Sequence, residues 1–148
     1  MTTVQELLDA KAGVLWTVKP DDTVFHALQI MADKDIGALP VVGPSGLVGI
    51  LSERDYARRG ILLGRASKNT LVRDIMTTSL HGVQPEHSLD RCESLMTNKH
   101  VRHLPVIDAQ GELVGIISIG DVLKAIIRQQ QEHITRLALR ETGDMALD

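Results

Sequence analysis

Ser52-Glu53-Arg54-Asp55 and Ser118-Ile119-Gly120-Asp121 share one pattern: a serine with an aspartate three residues on, each directly after an aliphatic run. At the start of a helix such a pair has two chemistries open to it. The serine oxygen can accept from a free amide of the first turn while the carboxylate reaches back to the serine amide, which is a capping box. The same helix start can hold a phosphate on its free N–H groups and the serine hydroxyl, while a carboxylate one turn along accepts both hydroxyls of a ribose. One copy alone is explained by capping; recurrence in an identical context favours the second chemistry. Gly49 and Gly115 stand three residues before each serine and open the strand to the close approach of a ligand or of another backbone.

The context is a repeat. Leu39-Pro40-Val41-Val42, Gly46, Leu47-Val48-Gly49-Ile50-Leu51-Ser52 and Asp55 recur as Leu104-Pro105-Val106-Ile107, Gly111, Leu113-Val114-Gly115-Ile116-Ile117-Ser118 and Asp121. Upstream, Val18, Pro20, Met31 and Lys34 stand 65 positions before Val83, Pro85, Met96 and Lys99, and one insertion at Glu112 moves the remainder to 66. This predicts two equivalent units about a pseudo-twofold axis, neither of them a separate function. Each unit reads as short helix, strand, helix, strand, hairpin turn, strand, helix. Val24, Ala27, Leu28 and Met31 follow the i, i+3, i+4, i+7 spacing of a helix face, largely repeated by Leu89, Cys92 and Met96, with Thr23 and Ser88 as N-caps. Gly43-Pro44-Ser45-Gly46 supplies a hairpin turn. Thr3 to Leu8 is echoed by Leu71 to Met76, so the boundary falls in the polar stretch from Gly64 to Thr70. The expected division is 1–66, 67–128 and a C-terminal helical extension or tail at 129–148, frayed from Glu141 to Asp148.

Two full copies of the Leu-Pro-Val and Gly-hydrophobic-hydrophobic-Ser-x-x-Asp pattern resemble a tandem of cystathionine-beta-synthase (CBS) domains, a Bateman module, over roughly residues 1 to 128. The resemblance implies an α/β (α+β) fold of two β-α-β-β-α repeats with their sheets packed against each other. It further implies two clefts for adenosine-containing ligands such as AMP, ADP, ATP, NAD or S-adenosylmethionine. Carried onto this chain, it makes Asp55 and Asp121 the ribose ligands, with Ser52 and Ser118 near the α-phosphate. The base slot would come from the opposite repeat. Asp121 would face Thr17, Val18, Asp22, Ile36, Gly37 and Ala38, and Asp55 would face Gly82, Val83, His87, Val101, Arg102 and His103. An aliphatic slot is expected.

The two sites then differ. Gly37-Ala38 leaves space beside Asp121, whereas Arg102-His103 puts bulk and positive charge beside Asp55, either to grip a phosphate or to fill the cleft. Arg54, Arg58, Arg59, Arg65 and Lys68 form the densest basic stretch. Arg54 and Lys68 are candidates for phosphate contact, and an ordinary solvated helix face is the other reading.

Bulk properties remove other classes. With 148 residues and 43% hydrophobic content the chain can bury one core, or two half-cores that complete each other. A formal charge of -3 supplies no global field for nucleic acid or anionic lipid, and Trp16, Phe25 and Tyr56 are too few for a base-stacking platform. The start lacks a signal-peptide pattern, no apolar run reaches the roughly 20 residues of a membrane span, and Cys92 has no disulfide partner. A cytoplasmic protein follows as the expectation. His81, His87, His100 and His103 lack the company of HExxH or paired CxxC motifs that would mark zinc. Cys92 reads as a core residue, and no Ser-His-Asp order, GxGxxG or Walker motif appears. The expected function is a non-catalytic sensor of adenine nucleotides, acting through a homodimer or an unidentified protein partner. A structural adaptor with vacant clefts and a nucleotide-hydrolysing enzyme are the alternatives.

Overall fold

Thr23 and Ser88 begin two equivalent helices by the same device. The Thr23 hydroxyl accepts from the His26 amide at 3.1 Å and the Ser88 hydroxyl from the Arg91 amide at 3.2 Å, satisfying a donor that the first turn leaves free. The computed structural model describes residues 2–11 and 13–146. Its elements are α1 (Val4–Lys11), α2 (Val24–Lys34), β1 (Ala38–Gly43), β2 (Gly46–Ser52), α3 (Glu53–Asp55), α4 (Val72–Ile75), α5 (Leu89–Lys99), β3 (His103–Ile107), β4 (Leu113–Ser118) and α6 (Ile119–Ala146). Both α2 and α5 stop at a left-handed residue, Asp35 and His100, each with φ near 54°. Their apolar faces, Val24, Ala27 and Met31 in one and Leu89, Cys92 and Met96 in the other, are buried.

Each repeat holds a two-stranded antiparallel sheet, β1 with β2 and β3 with β4. The register slips between Val41 and Val42 in one and between Val106 and Ile107 in the other, at equivalent positions. The turns place Gly46 and Gly111 at φ of 117° and 81°, where a side chain would be strained. The first strand expected in each repeat shrinks to one bridging residue. Val18 pairs in parallel with Val41, and Val83 with Val106. Pro20 and Pro85 follow closely and cannot donate to a longer ladder.

The two cores are built crosswise. Val4 and Leu7 of α1 pack with Val83, Leu89, Cys92, Leu104, Ile117 and Val122 of the second repeat. Val72 and Ile75 of α4 pack with Val18, Val24, Met31, Leu39 and Leu51 of the first. Backbone bonds seal both exchanges: Val4 donates to the His87 carbonyl and Val72 to the Asp22 carbonyl. Burying such a side chain stabilises by about 1.5–3 kcal/mol, so each half takes part of its core from the other. Gly49 and Gly115 serve this exchange. A Cβ at Gly49 would lie 2.7 Å from Met76 Sδ and 2.9 Å from the Thr77 carbonyl oxygen, and one at Gly115 would lie 2.6 Å from Leu8 Cδ2. The space at these glycines is taken by neighbouring segments of the same chain.

The repeats part company after the Ser-x-x-Asp motifs. In the first, α3 passes into a π-helical turn, Tyr56–Gly60, and a 3-10 turn, Ile61–Leu63, that ends at Gly64 with φ 76°. The π turn is compatible with Gly60 alone at its end, because a Cβ there would meet the Tyr56 ring at 2.7 Å. In the second, α6 continues unbroken to Ala146. Fraying from Glu141 is therefore corrected through Ala146, because the run from Lys124 carries good helix formers without an interior proline; Leu147 and Asp148 lie outside the described residues. Among the described residues no helix is long and apolar enough to cross a membrane.

Candidate functional site

Both Ser-x-x-Asp motifs form the capping box, and both also open into a cleft. Asp55 Oδ2 accepts from the Ser52 amide at 2.9 Å and the Ser52 hydroxyl at 3.0 Å, while the Asp55 amide donates to Ser52 Oγ at 3.1 Å. Asp121 Oδ2 accepts from the Ser118 amide at 2.8 Å, with the reciprocal bond at 3.1 Å. What differs is the second carboxylate oxygen. Asp55 Oδ1 accepts from the Thr77 hydroxyl at 2.9 Å and lies 3.8 Å from Arg59 Nη1. Asp121 Oδ1 accepts no hydrogen bond among the described residues, and the charge is balanced through Oδ2 by Lys11 Nζ at 3.0 Å. Lys11 is held in turn by the Ile116 carbonyl at 2.8 Å.

The Asp55 cleft has a volume of about 480 Å³ and joins Ser52, Arg54 and Asp55 of the first repeat to Val101, Arg102 and His103 of the second. Arg58, Arg59, His81 and His100 also line it, so cations dominate over Glu53 and Asp55. Arg102, and after it Arg58, hold the Arg54 guanidinium below the ordinary arginine range by repulsion. Three guanidiniums that repel one another form an arrangement an oligophosphate would relieve.

The Asp121 cleft, about 530 Å³, joins Ser118 and Asp121 to Ile36, Gly37 and Ala38 of the first repeat. Lys11, Lys34 and Lys124 are its cations, and Trp16 lines its wall with the Lys34 ammonium 4.4 Å from the ring centroid. Gly37 and His103 line both clefts, which therefore adjoin where the two hairpins meet. A Cβ at Gly37 would stand 3.3 Å from Glu53 Oε1 and 4.0 Å from His103 Nε2. Burial pushes the His103 imidazole below its usual value and Lys11 adds to this, while Asp121 and Asp55 pull the other way; Arg102 lowers it again.

Six expected base-slot residues lie elsewhere, for one shared reason. Val18 and Val83 point into the cores as bridging residues, so the chain lines each cleft just before them. Thr17 and Gly82 are exposed and line neither cleft. Asp22 and His87 close equivalent turns: an Asp22 carboxylate oxygen accepts from the Lys19 amide at 2.8 Å, and His87 Nδ1 from the Gln84 amide at 2.9 Å. Lys68 is likewise outside, its ammonium 5.0 Å from the Phe25 centroid. In their place stand Val14, Leu15 and Trp16 at one cleft and Ser79, Leu80 and His81 at the other. The 65-residue register equates these two triplets. That register transfers the position from one triplet to the other, but nothing in the sequence places the first of them. The slot is thus not purely aliphatic: an indole faces one cleft and an imidazole the other.

Comparison with known proteins accords with this geometry. The CBS domain family model matches residues 14–61 and 72–128. CBS domain-containing protein CBSX3, mitochondrial, from Arabidopsis thaliana is 41% identical over 146 residues, covering 92% of this chain and 70% of the relative. A solved putative signal-transduction protein with CBS domains from Burkholderia ambifaria MC40-6 is 46% identical with a TM-score of 0.80, covering 87% of this chain and 96% of the other. CBSX2, solved in complex with AMP, is 30% identical with a TM-score of 0.68 over 88% of this chain and 99% of the other. The tandem motifs, the two hairpin units with their crosswise cores, and these matches together make the chain a member of the CBS domain family, carrying two copies of the domain.

Proposed function

We propose that this protein is a regulatory binding module whose two clefts take adenosine-containing ligands, among AMP, ADP, ATP, NAD and S-adenosylmethionine. It acts through a homodimer or a protein partner and performs no catalysis. The observation that carries the reading is that each Ser-x-x-Asp helix start shares a cleft with the segment entering the first hairpin strand of the opposite repeat. The relative solved with AMP supports the ligand class. In the Asp121 cleft, Asp121 Oδ1 accepts from the ribose hydroxyls, Ser118 and the lysines meet one phosphate, and the base lies against Trp16. AMP or the adenosine half of NAD fits this site. In the Asp55 cleft, Arg54, Arg58, Arg59 and Arg102 favour the more highly phosphorylated ligand. A reducing compartment, the cytoplasm, belongs to the same reading.

The adaptor alternative draws on one observation: both Asp55 carboxylate oxygens are already engaged by Ser52 and Thr77. A ribose there competes with Thr77 for Oδ1, which weakens ribose binding at that cleft without touching its arginines. Calorimetric titration of Arg102→Ala with AMP, ADP and ATP decides. Loss of a charge-assisted contact of about 1.5–3 kcal/mol predicts a fall of about tenfold or more for ATP and ADP and a smaller one for AMP. Equal losses across the series contradict phosphate reading by Arg102, and tighter binding by the mutant shows that Arg102 fills the cleft.

A further inference from the structure

Gln129 donates from its side-chain amide to the Thr2 hydroxyl, and beyond it every described side chain of α6, from Gln130 to Glu141, is exposed. The helix nonetheless continues for about 25 Å from that point. A helix of that length gaining nothing from tertiary packing is marginal in water. Its apolar residues are also arranged. Leu123, Ile127, Ile134 and Leu137 are 51%, 54%, 64% and 47% exposed. At about 100° per residue they fall, with Ile119 and Gln130, within an arc of about 80°. The buried Val122 and Ala125 lie roughly a third of a turn away.

From Leu123 the steps to Ile127, Gln130, Ile134 and Leu137 alternate between four and three residues. That is a heptad seam with Ile127 and Ile134 at a and Leu123, Gln130 and Leu137 at d. Isoleucine at a with leucine at d is the composition that favours two parallel strands. In such a pair every layer meets its own copy, so the Gln130 amide, both donor and acceptor, faces another Gln130 and is satisfied. The flanking positions that face each other, Ile126 with Gln131 and His133 with Ala138, oppose no like charges. Arg128, Glu132 and Arg136 stay on the outside. Exposed Leu139 lies on the far side and takes no part.

We infer that α6 pairs with α6 of a second copy of this chain as a parallel two-stranded coiled coil along Leu123 to Leu137, setting the second repeats of the two protomers side by side. This rests on the dimer reading above, and the test separates the two. Full-length Leu137→Cys under mild oxidation is expected to form a covalent dimer. Buried Cys92 keeps the parent protein free of such a link. Sedimentation equilibrium of Ile134→Asp, whose site is exposed in the single chain, is expected to show dimer affinity weakened by about tenfold or more, since two carboxylates would enter an apolar seam. A cross-link formed only when Leu123→Cys and Leu137→Cys proteins are mixed means antiparallel helices and overturns the proposal. A parent dimer that Ile134→Asp leaves intact overturns the seam while the dimer reading stands. A parent protein monomeric at micromolar concentration overturns both.

Discussion

Asp55 and Asp121 occupy the same place in two copies of one motif, and their neighbours assign them different work. Asp55 is nearly buried, with both oxygens hydrogen-bonded by its own chain, whereas Asp121 Oδ1 accepts no hydrogen bond among the described residues. The segments 36–38 and 101–103 came from the family resemblance, while the aspartates and their serines were legible from the repeat, because a motif written twice marks its own position. Trp16 and His81 were not, because whether a residue near Val18 or Val83 faces core or cleft depends on a single bridge that no pattern of alternation announces. Trp16 is the one tryptophan, so its emission reports on the Asp121 cleft alone. AMP is expected to change that emission, and Asp121→Ala to abolish the change at the same AMP concentration while Asp55→Ala retains it; a change retained in Asp121→Ala would contradict a ribose contact by Asp121, and AMP binding to the parent without a change in emission would remove Trp16 from the site. His103 supplies a pH dependence. Its folded-state pKa lies below the usual 6.5, so the unfolded chain binds the extra proton and stability declines as pH falls from 6.5 toward the lowered value. Thermal midpoints measured from pH 7.5 to 5 should show this decline, with a shallower slope in His103→Gln. An unaltered slope would assign the acid sensitivity to other groups.

At the level of elements, the hairpins, the two capped helices and their apolar faces follow from local residue types, since Thr23, Ser88, Gly46 and Gly111 each impose their geometry within a few residues. The crosswise docking of α1 and α4 does not, because Val4 and Val72 look alike in sequence and only the assembled cores show which repeat each one enters. Gly49 and Gly115 are where that docking is tightest, and they predict unequal costs. At Gly49 an added methyl meets the Thr77 carbonyl, a backbone atom fixed by the Ile50–Thr77 bridge, as well as the Met76 sulfur. At Gly115 it meets only the tip of Leu8, which can turn aside. Gly49→Ala should therefore destabilise by about 1–3 kcal/mol in urea denaturation, and Gly115→Ala by clearly less. Equal effects would show that the Thr77 backbone yields as readily as a leucine side chain. The π turn at Tyr56–Gly60 also lay beyond sequence patterning, since nothing but the packing of Gly60 on the Tyr56 ring distinguishes it from an ordinary helix.

For the whole molecule, pseudo-twofold duplication yields two adjoining clefts, and divergence at Gly37 and Arg102 makes them chemically unlike. One is an arginine-rich cavity, the other a lysine-lined cavity with an indole wall, and Gly37 and His103 line both. A ligand in either cleft thus meets a wall of the other, which gives a physical route for coupling, and any coupling must be reciprocal. In the reading proposed above, the Asp121 carboxylate holds the ribose of an adenosine ligand. Isothermal calorimetry of AMP into the parent protein, Asp121→Ala and Asp55→Ala tests it most directly. Measurable AMP binding by the parent is expected, with a loss of about 2–3 kcal/mol in Asp121→Ala and a smaller loss in Asp55→Ala. AMP affinity unchanged in Asp121→Ala would contradict it and leave that aspartate the capping residue of α6.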